Sequence, residues 1–236
     1  MKNKKFAILS ALMVTACIGL ARAATIKGKV SFSGVAPKSG QIKMNADPKC
    51  LALNPGGKLA EEVVVDKDGS VANVFVYIKQ GLEGKKFPTP TESKVVFDQK
   101  GCWYYPHVFG IQVNQTLEIM NSDPTMHNVN AMAKKGPPFN ASMPANIKPM
   151  SKKFTKPEVM VKIKCNVHPW MTAYAGVVDH PFYAVSANGG SFEIKDIPAG
   201  KYVVEAWHEK FGAATQEVTV AEGTATVSFT FESKKK

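Results

Sequence analysis

Residues 158–171 read EVMVKIKCNVHPWM, and within seven positions they offer a thiol, an imidazole and a thioether: Cys165, His168 and Met171. Two imidazoles and a thiolate in a trigonal arrangement, with a long axial thioether, are the donor set that blue copper requires. Cys165-x2-His168-x2-Met171 supplies three of those four donors. The upstream stretch NSDPTMHNVNA supplies a second imidazole, His127. Taken singly, each residue has a plainer reading: an inert buried thiol, a turn histidine, a flexible core filler. Their conjunction is what points to a metal. Zinc prefers harder or more thiolate-rich sets and has little use for Met171. A Cys–His nucleophile pair would need an orienting acid or amide, and it too leaves Met171 without a role.

These donors need a frame. In EVMVKIKC, Val159, Val161, Ile163 and Cys165 alternate with Lys162 and Lys164, which predicts a half-buried strand with the thiol on its core face. The short Asn166–Met171 loop would then fold two more donors over the strand end. Pro169 reduces the conformational freedom that this closure costs. Pro124 would end a preceding strand and aim His127 back towards the loop. The rest of the chain repeats short β-branched and aromatic runs separated by Gly, Pro, Asn and Asp, with little helical periodicity. The fold class expected is all-β, sandwich or barrel.

Composition shifts near residue 181, from a Met- and His-rich segment to a plainer β rhythm. The piece GSFEIKDIPAGKYVVEAW resembles the carboxypeptidase regulatory-like β-sandwich, and ATIKGKVSFSG and VANVFVYI look like opening strands of the same module. The pairing of an upstream HNV with a downstream C-x-x-H-P-aromatic-M resembles the cupredoxins, most closely amicyanin, over residues 86–180. The wider chain, through GCWYYPHV, NVFVYI, DHPFYAV and AWHE, is similar to exported plastocyanin-like proteins grouped with methylamine utilisation. The resemblances imply a Greek-key cupredoxin sandwich (86–180) inserted into a small second β-sandwich whose parts are 24–85 and 181–236. They also imply one type 1 copper per chain, held by His127, Cys165, His168 and Met171. Asn128 would tie the two ligand segments together. His168 would reach through an apolar patch formed by Pro169 and Trp170, with Lys134, Lys135, Lys152 and Lys153 steering an acidic redox protein. The stretch between His127 and Cys165 is longer than in amicyanin, so amicyanin's own partner is not implied.

The chain opens with Lys2, Lys4 and Lys5, an apolar run from Phe6 to Leu20, and Ala21-Arg22-Ala23. That is the pattern of a secretory signal peptide, residues 1–23. Val14-Thr15-Ala16-Cys17 offers lipid anchoring at Cys17 as the alternative. The apolar run is too short to span a bilayer comfortably, and no later segment is long enough. A periplasmic product with no transmembrane segment is expected. Loss of Lys2, Lys4, Lys5 and Arg22 with no acid lowers the formal charge from +11 to +7. In an exported protein this favours an acidic partner or a membrane surface over nucleic acid. In such a compartment two of the three remaining cysteines should pair. Cys50 and Cys102 are the expected pair, because any other choice consumes the copper thiolate.

The remaining features carry less. His107, His180 and His208 show no ligand spacing and are read as structural. Tyr104, Tyr105 and Trp207 are read as sandwich aromatics. Met120, Met126, Met132, Met143, Met150 and Met160 crowd the ligand region and are read as core fillers before copper-delivery groups. The function expected is single-electron carriage between redox partners such as a cytochrome or an oxidoreductase, with no catalysis by the chain itself. A copper carrier or buffer, and an envelope-binding sandwich, are the alternatives.

Overall fold

A computed structural model describes residues 24–233. The signal-peptide and Cys17 readings and the Lys234–Lys236 tail lie outside the described residues. β1 (Ala24–Ser33) and β2 (Phe75–Gln80) are separated by a long connection that carries a short helix, α1 (Pro48–Leu53). There follow β3 (Lys94–Gln99), β4 (Tyr104–Tyr105), β5 (Val108–Gln112), β6 (Thr116–Asn121), β7 (His127–Ala131) and β8 (Phe139–Met143). Next come β9 (Met150–Lys152), β10 (Glu158–Lys164), β11 (Thr172–Val178), β12 (Tyr183–Val185) and β13 (Ser191–Ile197). The chain ends with β14 (Gly200–His208), β15 (Gly212–Val220), β16 (Thr224–Thr226) and β17 (Phe229–Glu232).

The protein is all-β, a cupredoxin-like sandwich combined with a second β-sandwich. The first sandwich pairs the sheet β5-β11-β10-β7-β8 with the sheet β4-β3-β6-β9. Its core holds Phe97, Leu117, Ile119, Val129, Val161, Ile163 and Ala175. The second pairs β12-β2-β14-β15 with a sheet centred on β1, flanked by β13 on one side and by β16 and then β17 on the other. Its core holds Ile26, Val30, Val76, Ile78, Ile194, Val204 and Phe229. β3 to β11 thus lie in sequence between strands of the second sandwich, a layout that needs only neighbouring exit and entry points.

The burial of β10 shows how the pattern is enforced. Val161, Ile163 and Cys165 are buried while Lys162 is exposed, but Val159 is only half-buried. Register shifts between Glu158 and Val161, and a bulge there breaks the alternation that the sequence suggested. Glu158 lies at this irregular start and accepts the backbone N–H groups of Lys134 and Lys135.

The two sandwiches are packed tightly against each other at Phe75 of β2, which is fully buried. Its ring fills the space over Gly176 of β11 and approaches Gly110 of β5; an added Cβ on Gly176 would lie 2.3 Å from Phe75 Cζ. Only a residue without a side chain lets the ring seat there. Trp207 of β14 packs on Tyr174 of β11 with centroids 5.1 Å apart. His107 bridges the same joint, with one ring nitrogen 3.0 Å from Thr172 O and the other paired with Glu209. His180 bonds Ile78 O at 2.9 Å and His208 accepts the N–H groups of Lys210 and Phe211. These three histidines therefore have structural partners.

Two measurements check these readings. Gly176→Ala should destabilise the protein by about 1–3 kcal/mol through overpacking, seen as a lower urea midpoint with an unchanged slope. His208 is 1% exposed; burial, then the charges of His107 and Lys210, push its pKa down to about 4 from 6.5. A depressed histidine pKa means the folded state resists protonation. The stability it supports is complete above pH 6.5 and is lost as pH falls towards 4. The loss approaches about 3 kcal/mol at the acid end. His208→Gln should remove that step from a pH series of unfolding curves.

Candidate metal centre

The ligand end of the first sandwich is built by three strand ends. β7 begins at His127, β10 delivers Cys165, and the loop to β11 carries His168 and Met171. The loop closes on itself through Met171 N–H to His168 O, 2.9 Å, and Cys165 N–H to Met171 O, 3.1 Å. Asn166 N–H donates to Asn128 Oδ1 at 3.2 Å, the tie between ligand segments that the resemblance implies. His127, Cys165, His168 and Met171 are all buried.

The donor atoms of His127, Cys165 and His168 lie within 4.8 Å of one another, and the two Nδ1 atoms are 2.9 Å apart. Donors held about 2 Å from a common ion sit roughly 3–4 Å from each other, so the spacing fits a single metal. Met171 shares the buried core around Cys165. Each imidazole is gripped on its other nitrogen by a carboxylate. His127 Nε2 lies 2.7 Å from Asp123 Oδ2, and His168 Nε2 lies 3.0 Å from Asp47 Oδ2. A carboxylate accepts only from N–H, which assigns the proton to Nε2 and leaves the Nδ1 lone pairs facing inward for a metal.

In the metal-free protein the buried groups of the cluster hold one another in their charged forms. Burial opposes ionisation of Cys165, but His127 and the backbone N–H groups of His168, Val167 and Asn128 outweigh it, and the thiol titrates below its ordinary value. Burial likewise works against the charged forms of Asp123 and His127; their mutual contact prevails, lowering the first and raising the second. Asp123 also accepts the N–H groups of Gly101 and Cys102 at 2.6 and 2.7 Å.

Cys50 and Cys102 form the expected disulfide. The environment of His168 differs from the expectation of an exposed edge, because His168 is 2% exposed. The segment around α1 lies over it, with Asp47 bonded to Nε2 and Cys50 Sγ 3.5 Å away. Pro169 is exposed, while Trp170 is half-buried, donating from Nε1 to Cys102 O at 3.1 Å and lying 5.0 Å, ring to ring, from His168. The four lysines suggested for steering lie away from the ligand end. Lys134 and Lys135 are anchored at Glu158, about 20 Å along β10 from Cys165. Lys152 pairs with Leu117 at the start of β6, away from its ligand end, and Lys153 follows it. Among the methionines, Met143 is fully buried, but Met126 and Met132 are 50% and 43% exposed rather than core fillers.

Asp47 and Asp123 were not among the residues singled out by sequence. Both occur as Asp-Pro ahead of a functional residue, in NADPKC and NSDPTMH. Asp47 caps α1 through Oδ1, with Pro48 in the first turn, a helix-start signature that was legible. That its second oxygen reaches His168 was not.

Residues 166–228 match the family described as polysaccharide lyase family 4, domain II. This differs from the carboxypeptidase regulatory-like module that the same region resembles. No curated protein matches the chain. Among solved structures, a copper-containing nitrite reductase from Thermus scotoductus is similar at 27% identity and TM-score 0.33, over 40% of this chain and 24% of that one. A purple cupredoxin from Nitrosopumilus maritimus is similar at 20% identity and TM-score 0.30, over 36% of this chain and 99% of that one. An oxidised amicyanin variant shows 19% identity and TM-score 0.33, over 43% and 97% respectively. At TM-scores this low, the chemistry of the centre rests on its own residues.

Asp123→Ala should leave the buried His127 ring and two N–H groups without their acceptor, a loss of about 1–3 kcal/mol in the metal-free protein. Metal affinity should fall about 10–100-fold. Chemical unfolding and competitive metal titration read the two effects separately.

Proposed function

We propose that this chain is an exported type 1 copper protein that carries single electrons between redox partners and is not itself an enzyme. The observation that carries the reading is the convergence of one ring nitrogen each of His127 and His168 with the Cys165 thiol within 4.8 Å, the two Nδ1 atoms being 2.9 Å apart and each Nε2 held by a carboxylate. Copper would supply the one-electron couple. The chain's own contribution is to fix the donors. His127 and His168 are held by Asp123 and Asp47, and Cys165 accepts the His168 N–H at 3.3 Å. Met171, fixed in the core, would supply the thioether. Burial of all four residues excludes water and holds the donors in place. Small rearrangement is the condition for fast exchange.

A copper-carrier role is the second reading. It draws on half-exposed Met126, a soft thioether immediately before His127. A carrier should pass Cu(I) promptly to an acceptor protein, whereas an electron carrier should keep it through repeated redox cycles.

Purified protein given one equivalent of Cu(II) should develop an intense visible thiolate-to-copper charge-transfer band. Cys165→Ser should abolish the band, and Met171→Gln should keep it while changing the reduction potential. A colourless wild-type complex would overturn the type 1 reading.

A further inference from the structure

The segment from Met44 to Asn54 belongs to the connection between β1 and β2, yet Met44 and Cys50 are buried in the core of the other sandwich. It is fastened across the ligand end at several points. Cys50 is bonded to Cys102, Asn54 Nδ2 donates to Gly101 O at 3.0 Å, and Lys49 Nζ donates to Pro124 O at 2.9 Å. A helix of six residues has too few internal bonds to persist alone, so these attachments hold it. Within it, the capping bonds from Lys49 N–H and Cys50 N–H fix Asp47 Oδ1. Oδ2 is left facing His168 Nε2 and the Thr125 hydroxyl, at 3.0 and 3.2 Å.

Building on the copper reading above, we propose that Asp47 is a positioning residue for the metal centre, delivered from outside the ligand-bearing sandwich and locked onto His168 by the Cys50–Cys102 disulfide. It acts in two ways. Accepting the Nε2 proton orients the ring with Nδ1 inward and makes the imidazole a stronger donor. Its negative charge, one bond beyond the ligand, favours the more positive oxidation state of the metal. The disulfide sets the distance at which both effects operate.

The test uses full-length mature protein and the variants Asp47→Asn, Asp47→Glu and Cys50→Ser/Cys102→Ser, the last also combined with Asp47→Asn. With copper bound, Asp47→Asn should raise the reduction potential and lower Cu(II) affinity about 10–100-fold, while Asp47→Glu restores part of both. In the metal-free protein, nitrogen NMR of His168 should show a single Nε2–H tautomer in wild type and a mixture in Asp47→Asn. The effect of Asp47→Asn should largely vanish in the background lacking the disulfide, because coupled residues are not additive. If the wild type develops no charge-transfer band, the copper reading falls and this inference with it. If the band is present but Asp47→Asn leaves potential, affinity and tautomer unchanged, the inference alone is overturned. That single variant keeps the disulfide, so the result stands whether or not the cysteine variants fold. Undiminished effects of Asp47→Asn without the disulfide would overturn the locking role.

Discussion

Cys102 is the point on which both imidazole clamps depend. Its N–H, together with that of Gly101, satisfies Asp123, which grips His127. Its sulfur is bonded to Cys50, which brings Asp47 onto His168. Its carbonyl accepts from the Trp170 indole, fixing the residue two places beyond His168. Gly101 and Cys102 both have positive φ, 65° and 54°. Consecutive residues of this kind turn successive N–H groups to one side, a concavity suited to an anion. For cysteine the left-handed conformation is unfavourable. Here the residue is held by its bond to the buried Asp123 carboxylate and by the disulfide.

The same arrangement shapes the charge around the centre. Two carboxylates and a thiol with a lowered pKa cluster at one end, an end that a positive metal would neutralise. Tyr104, whose hydroxyl donates to Asn128 O, is held protonated by burial and by the neighbouring Cys165 charge. Meanwhile Lys134, Lys135, Lys152 and Lys153 occupy the opposite end of the sandwich. These four lysines therefore add no positive charge at the metal end.

What was legible in the sequence was local. Cys165, His168 and Met171 announce themselves because seven residues must carry three donors, and period-two patterning placed the thiol on the core side of β10. The spacing of short runs gave an all-β class, and the disulfide followed from counting cysteines in an oxidising compartment. What escaped was contributed from far away in the chain. Asp47 lies 121 residues from the histidine it grips, and no periodicity connects them. The same is true of the buried state of His168. The expectation of an exposed edge follows from the ligand loop alone, and the cover is supplied by a connection of the other sandwich that looked like linker. Even in β10, the half-exposed Val159 reflects a bulge that an alternating sequence does not reveal.

The second sandwich is therefore more than an appendage. It touches the first along one joint, where Phe75 seats over Gly176, Trp207 packs on Tyr174 and His107 pairs with Glu209, and again at the disulfide that anchors α1. Contacts at separate points resist rotation as well as separation, so the connection bearing Asp47 starts from a body already fixed relative to the ligand strands. The connection is in turn fastened to the ligand-bearing sandwich at Cys102, Gly101 and Pro124, which keeps the Asp47 oxygen 3.0 Å from one nitrogen. A rigid joint turns a distant segment into a local one. That is how a residue from outside the ligand-bearing sandwich can behave as part of the centre.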